Sequence, residues 1–208
     1  RKTTMIYYGI PMDQYRVADP LPYVVWVGKL EGGKGADWAI DCARKAGMKI
    51  VIMGPPYSSN HMNSAIAPRL GSDVIWLGGV NDAVKALVFS HATAFLSANV
   101  DGWVELLGIV NLESMASGCP IIAWTKEGND KSAVLGDSLI EEGRNGFLVR
   151  YKSSASEWNR VVDEVAEILR TRIPTINREE VRKSVLTKFS QETMAKRYVW
   201  FYEHIIKN

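Results

Sequence analysis

From Tyr23 onward, short runs of β-branched and apolar residues alternate with stretches whose apolar positions recur at helical spacing. The runs at 23–27, 49–53, 74–77, 94–97, 121–124 and 147–149 predict strands. Between the first two, Ala36, Ala39, Ile40, Ala43 and Ala46 follow the i, i+3, i+4, i+7 rule of one helix face, and Gly47 is placed to end the helix. Strand, helix and strand in that order make a right-handed βαβ unit. Its repetition predicts a doubly wound, Rossmann-like α/β domain with a parallel sheet. Further helices are predicted over 82–91 and 110–117, the second stopped by Gly118 with Pro120 close behind. Ser154 and Glu157 form a capping box for a helix that carries Trp158, Val161, Val162, Val165 and Leu169 on one face. Two more helices, over 178–186 and 191–206, make a C-terminal extension. The expected division is a junction segment at 1–22, the Rossmann-like domain at 23–172, and C-terminal helices at 173–208. Two irregular stretches interrupt the pattern, at 55–71 and 125–143, and the second is a candidate lid or binding loop.

Composition narrows the function classes. A chain of 208 residues, 47% of them hydrophobic, can bury a sizeable core, so one compact domain is expected. With 25 Lys and Arg against 23 Asp and Glu, the net charge is +2, which gives no electrostatic footprint for nucleic acid or an anionic membrane. Any anion must therefore be held by local placement. Cys42 and Cys119 are too few for a disulfide framework and lack metal-ligand spacing, which fits a reducing, cytoplasmic setting. No apolar run is long enough to span a bilayer, and no basic-then-apolar leader opens the chain. The chain starts at Arg1 and reads as a piece of a longer protein.

Open α/β sheets bind ligands at the carboxyl ends of their strands, so the loops after each strand are where chemistry is sought. After the first strand comes Gly28-Lys29-Leu30-Glu31-Gly32-Gly33-Lys34-Gly35, a glycine-rich turn with two lysines leading into a helix. Such a turn can offer backbone N–H groups and a positive helix end to a phosphate, or it can be a flexible turn with solvated lysines. After the fourth strand comes a second constellation, from Glu105 through Gly108 and Glu113 to Pro120. Gly108 permits a sharp entry into the next helix, leaving Glu105 on a loop and Glu113 on the helix, so both carboxylates are expected to face one crevice. Carboxylates suit polyol ligands, because each oxygen accepts from hydroxyl donors and a pair of oxygens orients a diol. Two acids at this spacing carry nothing by themselves. The informative feature is the whole string E-x-x-G-x-x-x-x-E-x-M-A-x-G-x-P followed by a strand.

That string resembles the E-x7-E signature of the retaining GT-B glycosyltransferases of the family 4 type, also called group 1. The turn from Gly28 to Gly35 is similar to the family's G-R-L-x-x-x-K-G phosphate loop. Tyr8-Gly9-Ile10-Pro11-Met12-Asp13 resembles its N-G-[IV]-D junction segment, and the strand from Val74 to Val80 resembles its V-x-F-L-G-x-V. Gly143-Arg144-Asn145-Gly146-Phe147-Leu148-Val149 is similar to G-x-N-G-x-L-V, and Phe189-Ser190 to the closing F-S-W. The resemblance implies the C-terminal domain of a GT-B fold, binding a nucleoside-diphosphate sugar. It implies that Glu105 contacts the donor sugar, Glu113 the ribose, and Lys34 the diphosphate. Backbone N–H groups around Leu107, Gly108 and Ile109 fall near the same phosphates, and the segment from Gly78 through Val80 to Asn81 borders the base. Gly28 and Lys29 belong to the phosphate loop.

The sequence also departs from the family. Lys29 stands where arginine is usual, keeping the charge but losing the bidentate fork. Leu107 replaces a phenylalanine and Gln191 a tryptophan, and Thr125 to Asp130 replaces a G-G-x-x-E turn. No D-x-D spacing occurs, which points to Lys29, Lys34 and helix amides, rather than a metal or other cofactor, on the departing diphosphate. The resemblance implies retention at the anomeric carbon, with acceptor site and a catalytic histidine on a preceding domain, so this chain alone is expected to be inactive. That domain is also the expected route to any peripheral membrane contact. Two rivals remain: a GT-B nucleotide-sugar epimerase, and a degenerate domain that binds nucleotide or a partner without catalysis. His61, His91 and His204 have no partner at motif spacing and are left out of the chemistry. Trp26, Trp38, Trp76 and Trp158 fall at core positions, whereas Trp103 either packs on the sheet or closes the donor pocket.

Overall fold

The computed structural model describes residues 4–98, 107–127, 139–152 and 154–206. At its centre lie strands β1 (Tyr23–Val27), β2 (Lys49–Met53), β3 (Val74–Trp76), β4 (Ala94–Ala98), β5 (Ile121–Lys126) and β6 (Gly146–Tyr151). They form one sheet in the order β3-β2-β1-β4-β5-β6, with every neighbouring pair parallel. All five residues of β4 are buried, as a central strand covered on both faces requires. The strand order reverses between β1 and β4, so the chain leaves these two strands toward opposite faces and a crevice opens at their carboxyl ends.

The longer helices among the described residues are α1 (Ala36–Ala46), α2 (Asp82–His91), α3 (Ile109–Ala116), α4 (Ser154–Glu167), α5 (Arg178–Leu186) and α6 (Gln191–Ile206). The predicted apolar stripe of α1 is the face it buries, through Ala36, Ala39, Ile40 and Ala43. Trp38 on its flank meets Trp158 of α4 with ring centroids 3.8 Å apart, which fixes α1 against α4. Asn81 caps α2 by accepting from the Val84 N–H, and Asn177 caps α5 by accepting from the N–H groups of Glu179 and Glu180. α5 seats Val181 and Val185 in the core beside α3. The segment ahead of β1 lies along the turn between α5 and α6, where the Ile10 N–H donates to Phe189 O at 2.9 Å and the Gln191 N–H to Ile10 O at 3.2 Å. On α6 the side chains of Tyr198, Val199, Trp200, Tyr202 and Ile205 are exposed. No helix among the described residues is long and apolar enough to cross a membrane.

The departures from expectation have local causes. β5 and β6 run beyond Trp124 and Val149 because backbone pairing continues through Thr125 with Arg150 and Lys126 with Tyr151, and polar side chains do not interrupt it. β3 stops at Trp76, although the Leu77 N–H still donates to Ile52 O at 3.0 Å. The stretch 55–71 is not irregular. It folds as helical turns at Ser59–His61, Met62–Ile66 and Ala67–Arg69, each too short to carry a readable period, with Ser58 capping the first and Ile66 buried. The Glu157 carboxylate reaches back over the start of α4 and accepts from the Lys152 N–H, while the side chain of Ser154 lies outside the described residues. Of the irregular stretch 125–143, residues 128–138 lie outside the description. Its end is a turn organised by buried Asn145, whose amide donates to Leu139 O at 3.0 Å and accepts from the Glu141 N–H at 2.8 Å.

Candidate functional site

The crevice between β1 and β4 holds a cavity of about 460 Å³. Gly28, Lys29, Glu31 and Lys34 line it from the loop after β1, Ser97 and Ala98 from the end of β4, and Gly108, Ile109 and Asn111 from the start of α3. The lysine-bearing loop is firmly held. Leu30 is fully buried, its N–H donates to Pro55 O at 3.0 Å, and its carbonyl accepts from the Tyr57 and Ser58 N–H groups. The Trp26 indole N–H donates to Lys34 O at 3.1 Å. Below, the loop after β2 presses so close that a Cβ on Gly54 would lie 1.7 Å from the Gly28 carbonyl oxygen, which makes Gly54 obligatory. The Lys29 ammonium sits 4.7 Å from the centroid of the Tyr57 ring. A cation–π contact at an exposed site is worth about 0.5–1 kcal/mol, less than a charge-assisted hydrogen bond of about 1.5–3 kcal/mol. Lys29 is thus oriented, yet available to an anion.

Opposite these lysines, α3 begins at Gly108 with φ of 66°, a conformation that glycine adopts without strain. Gly108 has no side chain to cap this helix end, and no cap comes from another side chain among the described residues. Its first N–H groups and the positive end of its dipole therefore face the crevice, the arrangement that binds phosphates and carboxylates. Asn111 closes the turn from within by donating its amide to Leu107 O at 2.8 Å.

A second chamber of about 180 Å³ adjoins the first, lined by Val27, Gly28, Met53, Gly54, Pro55, Gly79, Val80 and Lys85. Behind it sits Glu113, 5% exposed. Its Oε1 accepts from the Lys85 ammonium at 2.8 Å and from the Tyr15 hydroxyl at 3.2 Å. Lys85 also pairs with Asp82 Oδ1 at 2.9 Å. Burial alone would lower the Lys85 ammonium, but its bonds to Glu113 and Asp82 prevail and hold it above the usual lysine value. Burial, and then the Glu113 charge, push the Tyr15 phenol well above the usual tyrosine range, so it is a donor at any ordinary pH. Glu113 Oε2 is buried with no hydrogen-bond partner among the described residues. A buried acceptor left unpaired costs about 1–3 kcal/mol.

The structure therefore brings Gly28, Lys29, Lys34, Gly108 and Ile109 together around one cavity and places Gly28 and Val80 in the next. Leu107 stands one residue outside, half-buried, and contributes its carbonyl to the turn. The Gly78 carbonyl accepts from the Gly54 N–H at 2.7 Å and so ties the β2 and β3 loops together. Glu113 lies behind Lys85 and does not line the larger cavity. Glu105 and Trp103 lie outside the described residues. Sequence reasoning missed Tyr15 and Lys85, since nothing in the chain marks two residues on other elements as partners of Glu113. It also left out His61, whose Nε2 is 4.0 Å from Asp37 Oδ1. Among the described residues, no group of three or more His, Cys, Asp or Glu side chains is placed to hold a metal ion.

Comparison with known proteins agrees with this architecture. Residues 21–169 match the family described as Glycosyl transferases group 1. A GDP-mannose-dependent alpha-(1-6)-phosphatidylinositol monomannoside mannosyltransferase of Mycobacterium tuberculosis is 31% identical over 170 residues, which are 75% of this chain and 40% of the relative. A phosphatidyl-myo-inositol mannosyltransferase of Mycobacterium leprae is 31% identical over 118 residues, covering 56% of this chain and 29% of its own length. Among solved structures, a glycosyltransferase involved in avilamycin A biosynthesis superposes with a TM-score of 0.75 at 24% identity, covering 98% of this chain and 58% of its own. An Anabaena protein crystallised with UDP-glucose superposes with a TM-score of 0.68 at 18% identity, covering 96% and 57%. The chain thus spans well under two thirds of the length of each.

Proposed function

The chain belongs to the family of glycosyl transferases group 1, and from that membership we propose that it is the donor-binding half of a retaining glycosyltransferase that takes its sugar from a nucleoside-diphosphate sugar without a metal ion. The observation that carries the reading is the convergence of Lys29, Lys34 and the glycine-capped start of α3 on one cavity at the strand-order reversal. That convergence answers what the reaction demands. As the bond from the anomeric carbon to the diphosphate breaks, negative charge grows on the leaving oxygen, and donors already in place stabilise it without reorganising. The adjoining chamber, with Gly79 and Val80, takes the base, and Glu113 Oε2 accepts from the ribose. Glu105 grips the sugar. Residues 1–22 join this half to a preceding domain that carries the acceptor site, residues 23–172 form the donor domain, and residues 173–208 return toward that preceding domain. The relatives are longer than this chain, which covers 40% of the mycobacterial mannosyltransferase and 58% of the avilamycin glycosyltransferase.

Calorimetry separates the two glutamates. GDP, UDP and ADP are titrated, because one relative's name specifies GDP-mannose and an Anabaena neighbour was crystallised with UDP-glucose. The best of them is then compared with its sugar nucleotides. Glu113→Ala is expected to weaken free diphosphate and sugar nucleotide alike, since both carry ribose. Glu105→Ala is expected to leave the free diphosphate nearly unchanged and to reduce only the extra affinity contributed by the sugar. Equal weakening of the free diphosphate by both variants, or no effect of Glu113→Ala on either ligand with the fold intact by circular dichroism, refutes the assignment.

A further inference from the structure

Resting on the reading of Glu113 as the ribose acceptor, we infer that Tyr15 and Lys85 are positioning residues of the donor site: together they occupy Glu113 Oε1 and leave Oε2 aimed at a ribose hydroxyl. A carboxylate at the end of a glutamate side chain can rotate, and a rotating acceptor gives little selectivity for a diol. Here three elements fix it. Glu113 stands on α3, Lys85 on α2, and Tyr15 on the segment ahead of β1.

Tyr15 is itself anchored. Arg182 of α5 donates to Tyr15 O at 2.9 Å, to Met12 O at 3.0 Å and to Ala116 O at the end of α3. One guanidinium thus ties the Tyr15 backbone to the helix that carries Glu113. Val17 packs against the same helix end, since a Cβ on Gly118 would meet its Cγ2 at 2.9 Å. On the other side, Asp82 takes a second ammonium hydrogen of Lys85 and fixes that cation over Oε1. The Glu113 carbonyl accepts from the Ser117 Oγ at 3.0 Å and from the Ser117 N–H at 3.1 Å, and neither bond uses the carboxylate. Among the described residues, the two side-chain donors to the carboxylate fall on one oxygen, and the buried other oxygen has no partner. The Tyr15 contact of 3.2 Å is long for a bond to a charged acceptor, so it acts through direction more than strength.

The test measures the affinity of GDP, UDP and ADP against their 2′-deoxy and 3′-deoxy forms for the wild-type chain, Tyr15→Phe, Lys85→Met and Glu113→Ala. The wild type is expected to prefer the intact ribose by about ten- to a hundredfold, and Glu113→Ala to erase that preference. Tyr15→Phe removes one oxygen and keeps the ring, and is expected to shrink the preference by about three- to tenfold while the deoxy ligands bind as before. Lys85→Met is expected to shrink it further and guards against a Tyr15→Phe chain that fails to fold. If both variants weaken ribose and deoxyribose ligands by one common factor, or change neither, the two residues are merely structural and the inference falls. If the wild type shows no preference, the ribose reading of Glu113 falls and takes the inference with it. If Glu113→Ala erases a preference that Tyr15→Phe and Lys85→Met leave intact, only the inference is overturned.

Discussion

At the scale of single residues, the site rests on cations whose surroundings decide what they can do. Lys34 lines the cavity, and the Trp26 indole pins its backbone by donating to Lys34 O at 3.1 Å. Replacing Lys34 with alanine is expected to weaken a nucleoside diphosphate by about ten- to a hundredfold, the worth of one charge-assisted phosphate contact, while the bare nucleoside loses almost nothing. Calorimetry with the two ligands reads this directly, and equal losses for both would mean that Lys34 only supports the loop. Gly28, Lys29 and Lys34 were readable in the sequence because they share one turn. Tyr15 and Lys85 were not, because each meets Glu113 across distant parts of the chain and a single sequence holds no record of that contact.

At the scale of elements, apolar period located the strands and the longer helices among the described residues. It failed where the backbone alone decides the outcome: the ends of β5 and β6, and the three short turns between Ser59 and Arg69. The start of α3 was readable from Gly108, since few residues other than glycine enter a helix at positive φ. The packing of β1 against α2 leads to a pH prediction. The Tyr23 hydroxyl donates to Val88 O at 2.7 Å, and burial, followed by the nearby Cys119, pushes its phenol from 10 up to about 12. A group whose folded value lies above its unfolded one contributes stability that is complete below the unfolded value and is lost as pH rises through the folded one. The raised Tyr15 and Lys85 act in the same direction. Burial also raises the Cys42 and Cys119 thiols from 9, so the urea midpoint is expected to hold up to about pH 8, to fall as pH climbs through 9, and to keep falling toward 12. Tyr23→Phe is expected to start lower and fall less steeply. A midpoint that rises over that alkaline range would contradict the assignment.

At the scale of the whole molecule, the alternation of strands and helices pointed to a doubly wound parallel sheet, and the observed order β3-β2-β1-β4-β5-β6 places the crevice without reference to any side chain. The sequence located this crevice and its lysines. It did not foresee that Glu113 would lie behind a second chamber, or that the segment ahead of β1 would reach that carboxylate. On the proposed reading, lysines and helix amides alone meet the charge of the diphosphate in that crevice. The most direct test is a calorimetric titration of the preferred nucleoside diphosphate into the chain in EDTA, and again in magnesium or manganese. The same affinity is expected in all three. Binding that disappears in EDTA and returns with either metal would contradict it.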